Sequence, residues 1–228
     1  MILYEHEAKR LFKEQGISIP QGGVAKSPSE AAEIAQKMGK PVVIKAQVLA
    51  LPGAGAGDAQ NAGSPEEAGR VAEGLLRKSY NGQRVSELLV EEVLPVQKEV
   101  HVAIRVDGSA GAPLVMASLE GLSDLDEEAK ASAKVASAHA DPFRGLKSHE
   151  ARKMAKALGF TGDAAVKLAD QIQRLFKTYA GWEALNAGFN PLVMTPEGNF
   201  SASGAFLELD DSALFRSETS LCRAVFNL

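Results

Sequence analysis

Two helix start signals with the same spacing do most to constrain the fold of this chain. Each reads Ser-Pro-x-Glu, at residues 27–30 and 64–67. In this pattern the serine suits the N-cap, the proline suits the first helical position, and the glutamate completes a capping box. The β-branched segment PVVIKAQVLA (41–50) lies between the two signals and predicts a buried strand. Strand and helix therefore alternate here, which indicates an α/β arrangement.

Other segments predict further elements on either side of this alternation. A helix is expected from Tyr4 to Gln15, and a short edge strand over residues 17–25. The segments at 85–94 and 98–108 are expected to be neighbouring strands, paired antiparallel because they follow each other directly, with a third strand at 112–121.

The second half of the chain carries its own signals. The alanine-rich, charged segment 124–140 is interpreted as either a helix or a mobile lid. Apolar residues at three-four spacing predict helices over 148–159 and 162–181. Residues 190–209 predict a β-hairpin that turns at PEGN, and the apolar tail LCRAVFNL is expected to pack on the body or on a partner.

Charge and composition exclude several classes of function. The 228 residues carry a net charge of -4 and include one cysteine, Cys222. The sequence therefore lacks the polycation that nucleic acids select, and it can form no internal disulfide. The N-terminus has no apolar signal core, and no run approaches the ~20 apolar residues of a membrane span. A cytoplasmic protein is expected.

A glycine-rich stretch follows the predicted strand at 41–50 and has the rhythm of a phosphate-binding loop. No lysine, arginine or histidine occurs between Lys45 and Arg70. Backbone amides alone can form an anion nest, but charge-assisted hydrogen bonds are roughly twice as strong as neutral ones. The loop therefore has the shape of a phosphate site without its charges, and a plain flexible loop is the favoured interpretation.

Several segments together resemble the β-subunits of succinyl-CoA synthetase, the ADP-forming succinate–CoA ligase. The matching segments include LYEHEAKRLFKEQGI, LLVEEVLPVQKEVHVAIRVDG, NPLVMTPEGNF and LELDDSALFR, and they run in family order to about Arg216. The resemblance implies an α+β fold of the ATP-grasp type over residues 1–228, lacking the family's C-terminal CoA-ligase domain. A nucleotide-clamp subdomain at roughly residues 20–105 would be inserted in the remainder.

The same resemblance implies a reaction. In that family the ATP-grasp domain binds ATP or ADP with magnesium, and it exchanges a phosphoryl group with a histidine on a separate α-subunit that also binds CoA. Lys45 matches the lysine that meets the phosphates, and Glu91, Leu94 and Glu99 match positions near the base and ribose. Without the resemblance, each charged residue would more often be a solvated group at a strand end.

The chain departs from the family pattern at the phosphates and the metal. The loop remnant Gly53, Ala54 and Gly55 has glycine at the family's arginine and lysine positions. Asn190 matches a magnesium ligand, but Gly188 and Gly204 stand where the family has glutamate and aspartate. Because Mg²⁺ is held through one or two carboxylates together with substrate phosphates, these two losses predict weak binding of Mg-ATP or Mg-ADP, or none.

These departures lead to two hypotheses. In the first, the chain has no catalytic residues and is a non-catalytic, regulatory or scaffold subunit that docks on an α-subunit-like chain or on itself. In the second, it is an active ATP-grasp subunit of an acyl-CoA ligase, with the missing groups supplied from elsewhere. A structural half of a larger complex is a third reading, and magnesium-dependent nucleotide binding separates the first two.

Overall fold

The computed structural model describes residues 1–51, 57–121 and 135–213, which form helices and antiparallel sheets. The helices are α1 Glu5–Glu14, α2 Pro28–Met38, α3 Pro65–Leu76, α4 Ser148–Ala157 and α5 Gly162–Gly181, and a 3-10 turn spans Asp211–Ala213. The strands are β1 Gly22–Ala25, β2 Val42–Ala46, β3 Ala59–Ala62, β4 Ser79–Tyr80, β5 Gln83–Arg84, β6 Leu88–Glu92, β7 Lys98–Asp107, β8 Ala112–Ser118, β9 Val135–His139, β10 Ala184–Met194, β11 Phe200–Ala202 and β12 Ala205–Leu209.

The two serine caps form as the sequence predicts. The side chain of Ser27 accepts a hydrogen bond from the backbone N–H of Glu30 at the start of α2, and Ser64 accepts one from Glu67 at the start of α3. Helix α2 ends at Gly39, which adopts a left-handed conformation with φ of 62° and so closes the helix in the way that glycine allows best.

A smaller sheet of four strands, in the order β1-β6-β2-β3, carries α2 and α3 on one face. Val42 and Ile44 of β2 point into the apolar core beneath these helices. The alternate residues Val43 and Lys45 therefore point to the opposite face, because side chains alternate along a strand. That face is directed toward the rest of the molecule.

A larger sheet of six strands, in the order β11-β10-β7-β8-β9 with β12 also paired to β10, packs against α1, α4 and α5. Val100, Val102 and Ile104 of β7 are fully buried in this core. Glu99 and His101 lie on the other face of β7, which faces the smaller sheet. The molecule therefore has helices outside and two facing sheets inside.

The expected pairing of β6 with β7 is wrong. Strand β6 pairs with β1 and β2, whereas β7 pairs with β8 and β10 in the larger sheet. Pro95 lies between the two strands and cannot donate to a ladder, so the chain crosses from one sheet to the other there. The last residues of the expected clamp range 20–105 consequently lie in the larger sheet.

The charged, alanine-rich segment also differs from expectation at its end. Val135–His139 forms strand β9, paired antiparallel with β8, rather than a helix or lid. The alternation of buried Ala136 with exposed Ser137 fits an edge strand with one face on the core. Residues 122–134 lie outside the described part of the chain, as does the apolar tail.

The expected C-terminal hairpin is confirmed. Strands β10 and β11 pair antiparallel around the turn that holds Gly198, whose φ is 75°. Strand β12 adds to the same partner, because it pairs with the first half of β10 while β11 pairs with the second. The residues between β11 and β12 thus lie beside Asn190, at the centre of β10.

Candidate functional site

A cavity of about 410 Å³ lies between the two sheets. The smaller sheet contributes Lys45 of β2, and the larger sheet contributes Glu99 of β7 and Asn190 of β10. The crossing between β6 and β7 adds Leu94. The volume of the cavity falls in the range usual for small-molecule sites. Sequence-predicted site residues from four separate segments therefore meet at one cavity.

Apolar side chains make up much of the cavity wall. They come from the first residues of the chain, from both sheets and from the crossing segment, and include Leu3, Val43, Val48, Val93, Val96, Val193 and Phe206. Val93 and Val96 remain 43% and 54% exposed, so this part of the wall is open to a ligand or to solvent.

Lys45 belongs to a cluster of four charged side chains, which we call the tetrad: Glu5, Lys9, Lys45 and Glu91. The Lys45 ammonium lies 2.9 Å from a carboxylate oxygen of Glu5 and 2.9 Å from one of Glu91. It also donates to the backbone carbonyl of Ser203. An ammonium group has three protons, so these three acceptors match its full donor capacity.

Lys9 completes the tetrad from the side of α1. Its ammonium lies 2.7 and 2.6 Å from the two oxygens of Glu91, and 2.8 Å from Glu5. It donates to the Ser203 carbonyl as well, at 2.6 Å. Lys9 and Glu91 are each only 2% exposed. A charged pair this buried needs close pairing, because desolvation costs several kcal/mol per ion.

The pKa shifts in the tetrad follow from burial and neighbouring charge. Burial alone would raise the pKa of Glu5, but the charges of Lys9 and Lys45 overcome it and lower that pKa below its ordinary 4.5. Burial would lower the pKa of Lys45, but Glu5 and Glu91 overcome it and raise that pKa above its ordinary value. Both residues are therefore charged at neutral pH. Burial is the largest influence on Lys9, and it lowers the pKa of that ammonium below its ordinary value although Glu5 and Glu91 lie beside it.

Among the described residues that line the cavity, carboxylates outnumber cations. Glu5, Glu92 and Glu99 line it together with one ammonium, that of Lys45. Two further ammonium groups also pair with these carboxylates, Lys9 with Glu5 and Lys40 with Glu92. Gly57 lines the cavity at the end of the glycine-rich loop, and the next residue, Asp58, forms an ion pair with Lys78. The loop remnant Gly53, Ala54 and Gly55 lies outside the described residues, and its sequence adds no charge.

The amide of Asn190, which the family resemblance matches to a metal ligand, lies beside a histidine. Its oxygen Oδ1 lies 2.7 Å from Nδ1 of His101. Because an amide oxygen only accepts, Nδ1 of His101 carries the proton and donates it. The oxygen that would bind a cation thus already accepts a hydrogen bond.

The two glycines that replace carboxylates have no room for a side chain. A Cβ at Gly204 would lie 1.8 Å from the backbone oxygen of Asn190, and one at Gly188 would lie 2.3 Å from that of Val102. Gly204 is also tied to this backbone, since Asn190 donates to its carbonyl and it donates to that of Pro191. The backbone has closed into the space that carboxylates would need.

These observations test the fit of a magnesium-bound nucleotide. In the described part of the chain no three metal-binding side chains cluster. The carboxylate positions are glycines without space, and the contact with His101 uses one of the two lone pairs of the Asn190 oxygen. Since Mg²⁺ demands an octahedral set of oxygens, the described residues do not fit a magnesium-triphosphate.

Of the residues predicted from the sequence, Lys45, Leu94 and Glu99 line the cavity. Glu91 was also predicted, but it lies behind the cavity wall and accepts hydrogen bonds from Lys9. Three participants were not predicted: Glu5, Lys9 and His101. Glu5 and Lys9 had a signal in their i, i+4 spacing on α1, with Lys9 beside the buried Ala8. No pattern in the sequence pointed to the contact of His101 with Asn190.

Comparison with known proteins gives the same fold. The profile of the ATP-grasp domain matches residues 2–194. Subunit beta 1 of the ADP-forming succinate–CoA ligase of Archaeoglobus fulgidus is 42% identical over 217 residues, which are 95% of this chain and 56% of that protein. Subunit beta of the GDP-forming succinate–CoA ligase of Thermus thermophilus is 37% identical over 217 residues, 95% of this chain and 57% of that protein. The chain thus spans less than three fifths of these relatives.

Two solved structures share the architecture at lower identity. The dinucleotide-forming acetyl-coenzyme A synthetase 1 of Candidatus Korarchaeum cryptofilum, in complex with coenzyme A, Ca-AMPCP and HgCl+, superposes with a TM-score of 0.71 at 23% identity, over 92% of this chain and 93% of that one. ATP citrate lyase from Methanothrix soehngenii gives a TM-score of 0.70 at 18% identity, over 96% of this chain and 53% of that one.

No helix in the described residues is long and apolar enough to cross a membrane. The α+β fold expected from the sequence is confirmed by two facing sheets with outer helices, by the domain profile and by the superpositions. The chain belongs to the ATP-grasp domain family.

Proposed function

We propose that this chain is a subunit of an acyl-CoA-ligase-like assembly that keeps the ATP-grasp scaffold and does not transfer phosphate. The observation that carries the proposal is the packing of Gly188 and Gly204, where a Cβ would overlap backbone atoms. A site that had merely lost two carboxylates would leave a gap. Here the backbone fills it, so a metal cannot be recovered by a small side-chain movement.

Two further observations support this reading. The three protons of Lys45 are matched by three acceptors within the chain. The described wall of the cavity carries three carboxylates against this one ammonium. Phosphoryl transfer depends chiefly on positioning and on electrostatic stabilisation by cations, and the one ammonium in the described wall of the cavity is already paired with Glu5 and Glu91.

The partner we propose is a protein chain that resembles the α-subunit of acyl-CoA ligases. The relatives at 42% and 37% identity are beta subunits by name. This chain matches their ATP-grasp portion, and its role in such an assembly is regulatory or structural.

One observation favours a second candidate, an active ATP-grasp subunit. The cavity persists between the sheets, and Lys45, Leu94, Glu99 and Asn190 all line it. An active subunit needs cations from outside the described residues, on the partner chain. This candidate predicts that the assembly, but not the isolated chain, uses nucleotide.

The test is phosphoryl transfer in the presence of a partner. The chain is combined with an α-type acyl-CoA ligase subunit, CoA, succinate and Mg-ATP, and ADP release is measured against the complete ligase of a relative. We expect release no faster than from the α-type subunit alone. Release at the rate of the complete ligase would reject the proposal and establish the second candidate.

A further inference from the structure

Within this proposed function, and resting on it, we propose that the cavity between the sheets binds an uncharged molecule with an aromatic ring, and that Phe206 determines this selectivity. The phenyl ring of Phe206 lies beside the two positions where the family pattern has carboxylates. It presents an apolar surface at that end of the cavity. The cavity is therefore retained as a site for a ligand of a different chemical class.

Phe206 lies next to both glycines that replace the family's carboxylates. It follows Gly204 by two positions, and it pairs directly with Gly188 of β10. A Cβ built at Gly188 would overlap the ring atoms Cζ and Cε1 of Phe206. The ring thus lies in the space that a side chain at position 188 would need. Phe206 also lies between the family-like segments NPLVMTPEGNF and LELDDSALFR and belongs to neither.

The register of the larger sheet extends this apolar surface away from Phe206. Gly188 pairs on its other side with Ala103 of β7, and Ala103 pairs with Met116 of β8. Directly opposed residues share one face of a sheet, and Phe206 packs in one apolar cluster with Ala103 and Met116. The neighbouring Leu207 points into the core on the other face. The row from Phe206 to Met116 therefore forms an uncharged surface on the inner face of the sheet.

The opposite side of the cavity is apolar as well. Val43 of the smaller sheet lines it, and so do Val93 and Val96 of the crossing segment, which are 43% and 54% exposed. Phe206 also lines the cavity and is only partly buried. A ligand can thus contact valines on one side and the phenyl ring on the other.

These two surfaces define the class of ligand. Removing a charged group from water into apolar surroundings is costly when no partner compensates it, so this end of the cavity favours an uncharged group. A phenyl ring also contacts another ring, offset or edge to face, more favourably than burial of apolar area alone would give. An uncharged aromatic molecule satisfies both conditions.

The experiment uses three probes of similar size with the whole chain. Para-fluorobenzyl alcohol has a neutral ring, para-fluorobenzoate has the same ring with a negative charge, and cyclohexylmethanol is neutral without an aromatic ring. Fluorine NMR follows the first two directly, and cyclohexylmethanol is measured by its competition with para-fluorobenzyl alcohol. Wild type should bind the neutral ring more tightly than either of the other probes.

Two variants locate the site. Phe206→Leu removes the ring and keeps an apolar side chain, and Phe143→Leu is the matched control, because Phe143 is 99% exposed and lines a different groove. Phe206→Leu should weaken para-fluorobenzyl alcohol by about two- to tenfold, and cyclohexylmethanol should weaken less. The ratio of the two affinities is the decisive readout, because a general loss of packing would weaken both probes alike. Phe143→Leu should bind like wild type.

Several results would overturn the proposal. They are an unchanged ratio in Phe206→Leu, an equal effect of Phe143→Leu, and a wild-type chain that does not bind the neutral ring or binds the benzoate as tightly. Thermal unfolding checks each variant, and Phe206→Met repeats the test if the leucine variant does not fold.

Failure of this inference can be told apart from failure of the proposed function. Phosphoryl transfer from Mg-ATP by the wild-type chain with its partner would reject the proposed function. Absence of that transfer, together with no preference for the neutral ring, would reject only the ligand class and the role of Phe206.

Discussion

At the scale of single residues, the glycines at positions 188 and 204 leave no room for a side chain at the candidate site. Gly204 and Gly188 lie against backbone atoms of β10 and β7 at distances that no Cβ tolerates. Restoring the family's aspartate at position 204 therefore costs stability before it can provide a ligand.

Gly204→Asp and Gly204→Ala should each destabilise the fold by about 1–3 kcal/mol or more, as overpacking does. Gly108→Ala is the matched control, because a Cβ there meets no atom within 4 Å. Urea unfolding gives the comparison. A Gly204→Asp variant as stable as Gly108→Ala would show that the backbone yields, and magnesium binding by that variant would reopen the metal site.

The residue scale also shows which site features the sequence could reveal. The absence of carboxylates at positions 188 and 204 could be predicted from the sequence, because the family pattern sets their spacing from Asn190. The absence of room was not, because it depends on β12 and β10 being brought together by long-range pairing. The saturation of Lys45 depends in the same way on Glu5 and Ser203, which are 40 and 158 positions away.

At the scale of elements, the helices follow local rules. The caps at Ser27 and Ser64 match the expected helix starts, and the left-handed Gly39 ends α2. Local signals suffice there, since each cap is formed by residues three apart. Strand pairing was harder to predict, because β6 and β7 are neighbours in sequence but lie in different sheets. Pro95, between the two strands, is the local signal that the chain leaves one sheet for the other.

Helix α3 offers a matched pair of glycines for a test of packing. A Cβ at Gly74 would meet no atom within 4 Å, whereas one at Gly69 would lie 3.4 Å from the Pro28 carbonyl of α2. Gly74→Ala should stabilise by about 0.5–1 kcal/mol through helix propensity. Gly69→Ala should gain less. Thermal unfolding compares them, and an equal gain would mean that α2 and α3 pack less closely than described.

At the scale of the whole molecule, Lys9 connects parts that the sequence keeps far apart. It lies on α1, pairs with Glu91 of the smaller sheet and donates to Ser203 between β11 and β12. The tetrad therefore joins α1, the smaller sheet and the larger sheet at one buried point.

Lys9→Met should destabilise the protein by about 3 kcal/mol, because it leaves Glu91 buried with only Lys45 to balance it. Lys13→Met, at an exposed position on the same helix, is the control. Urea unfolding should separate the two variants clearly. Equal stability would mean that the tetrad contributes nothing to joining the sheets.

The same scale separates fold from function. The ATP-grasp architecture is shared with relatives and with solved structures, and Gly204, one of the positions that depart from the family pattern, lines the cavity. The fold could be predicted from the sequence because many segments match the family in the same order, and each adds to the evidence for the fold. The chemistry rests on a few side chains, and so it can be lost while the scaffold is retained.

The most direct measurement is isothermal titration of the purified chain with ATP and ADP, with and without magnesium. We expect no binding below millimolar concentration, and no gain when magnesium is added, because positions 188 and 204 are glycines with no room for a carboxylate side chain. Micromolar binding of Mg-ATP would contradict it, and would mean that the cavity had been rebuilt to hold a nucleotide by other residues.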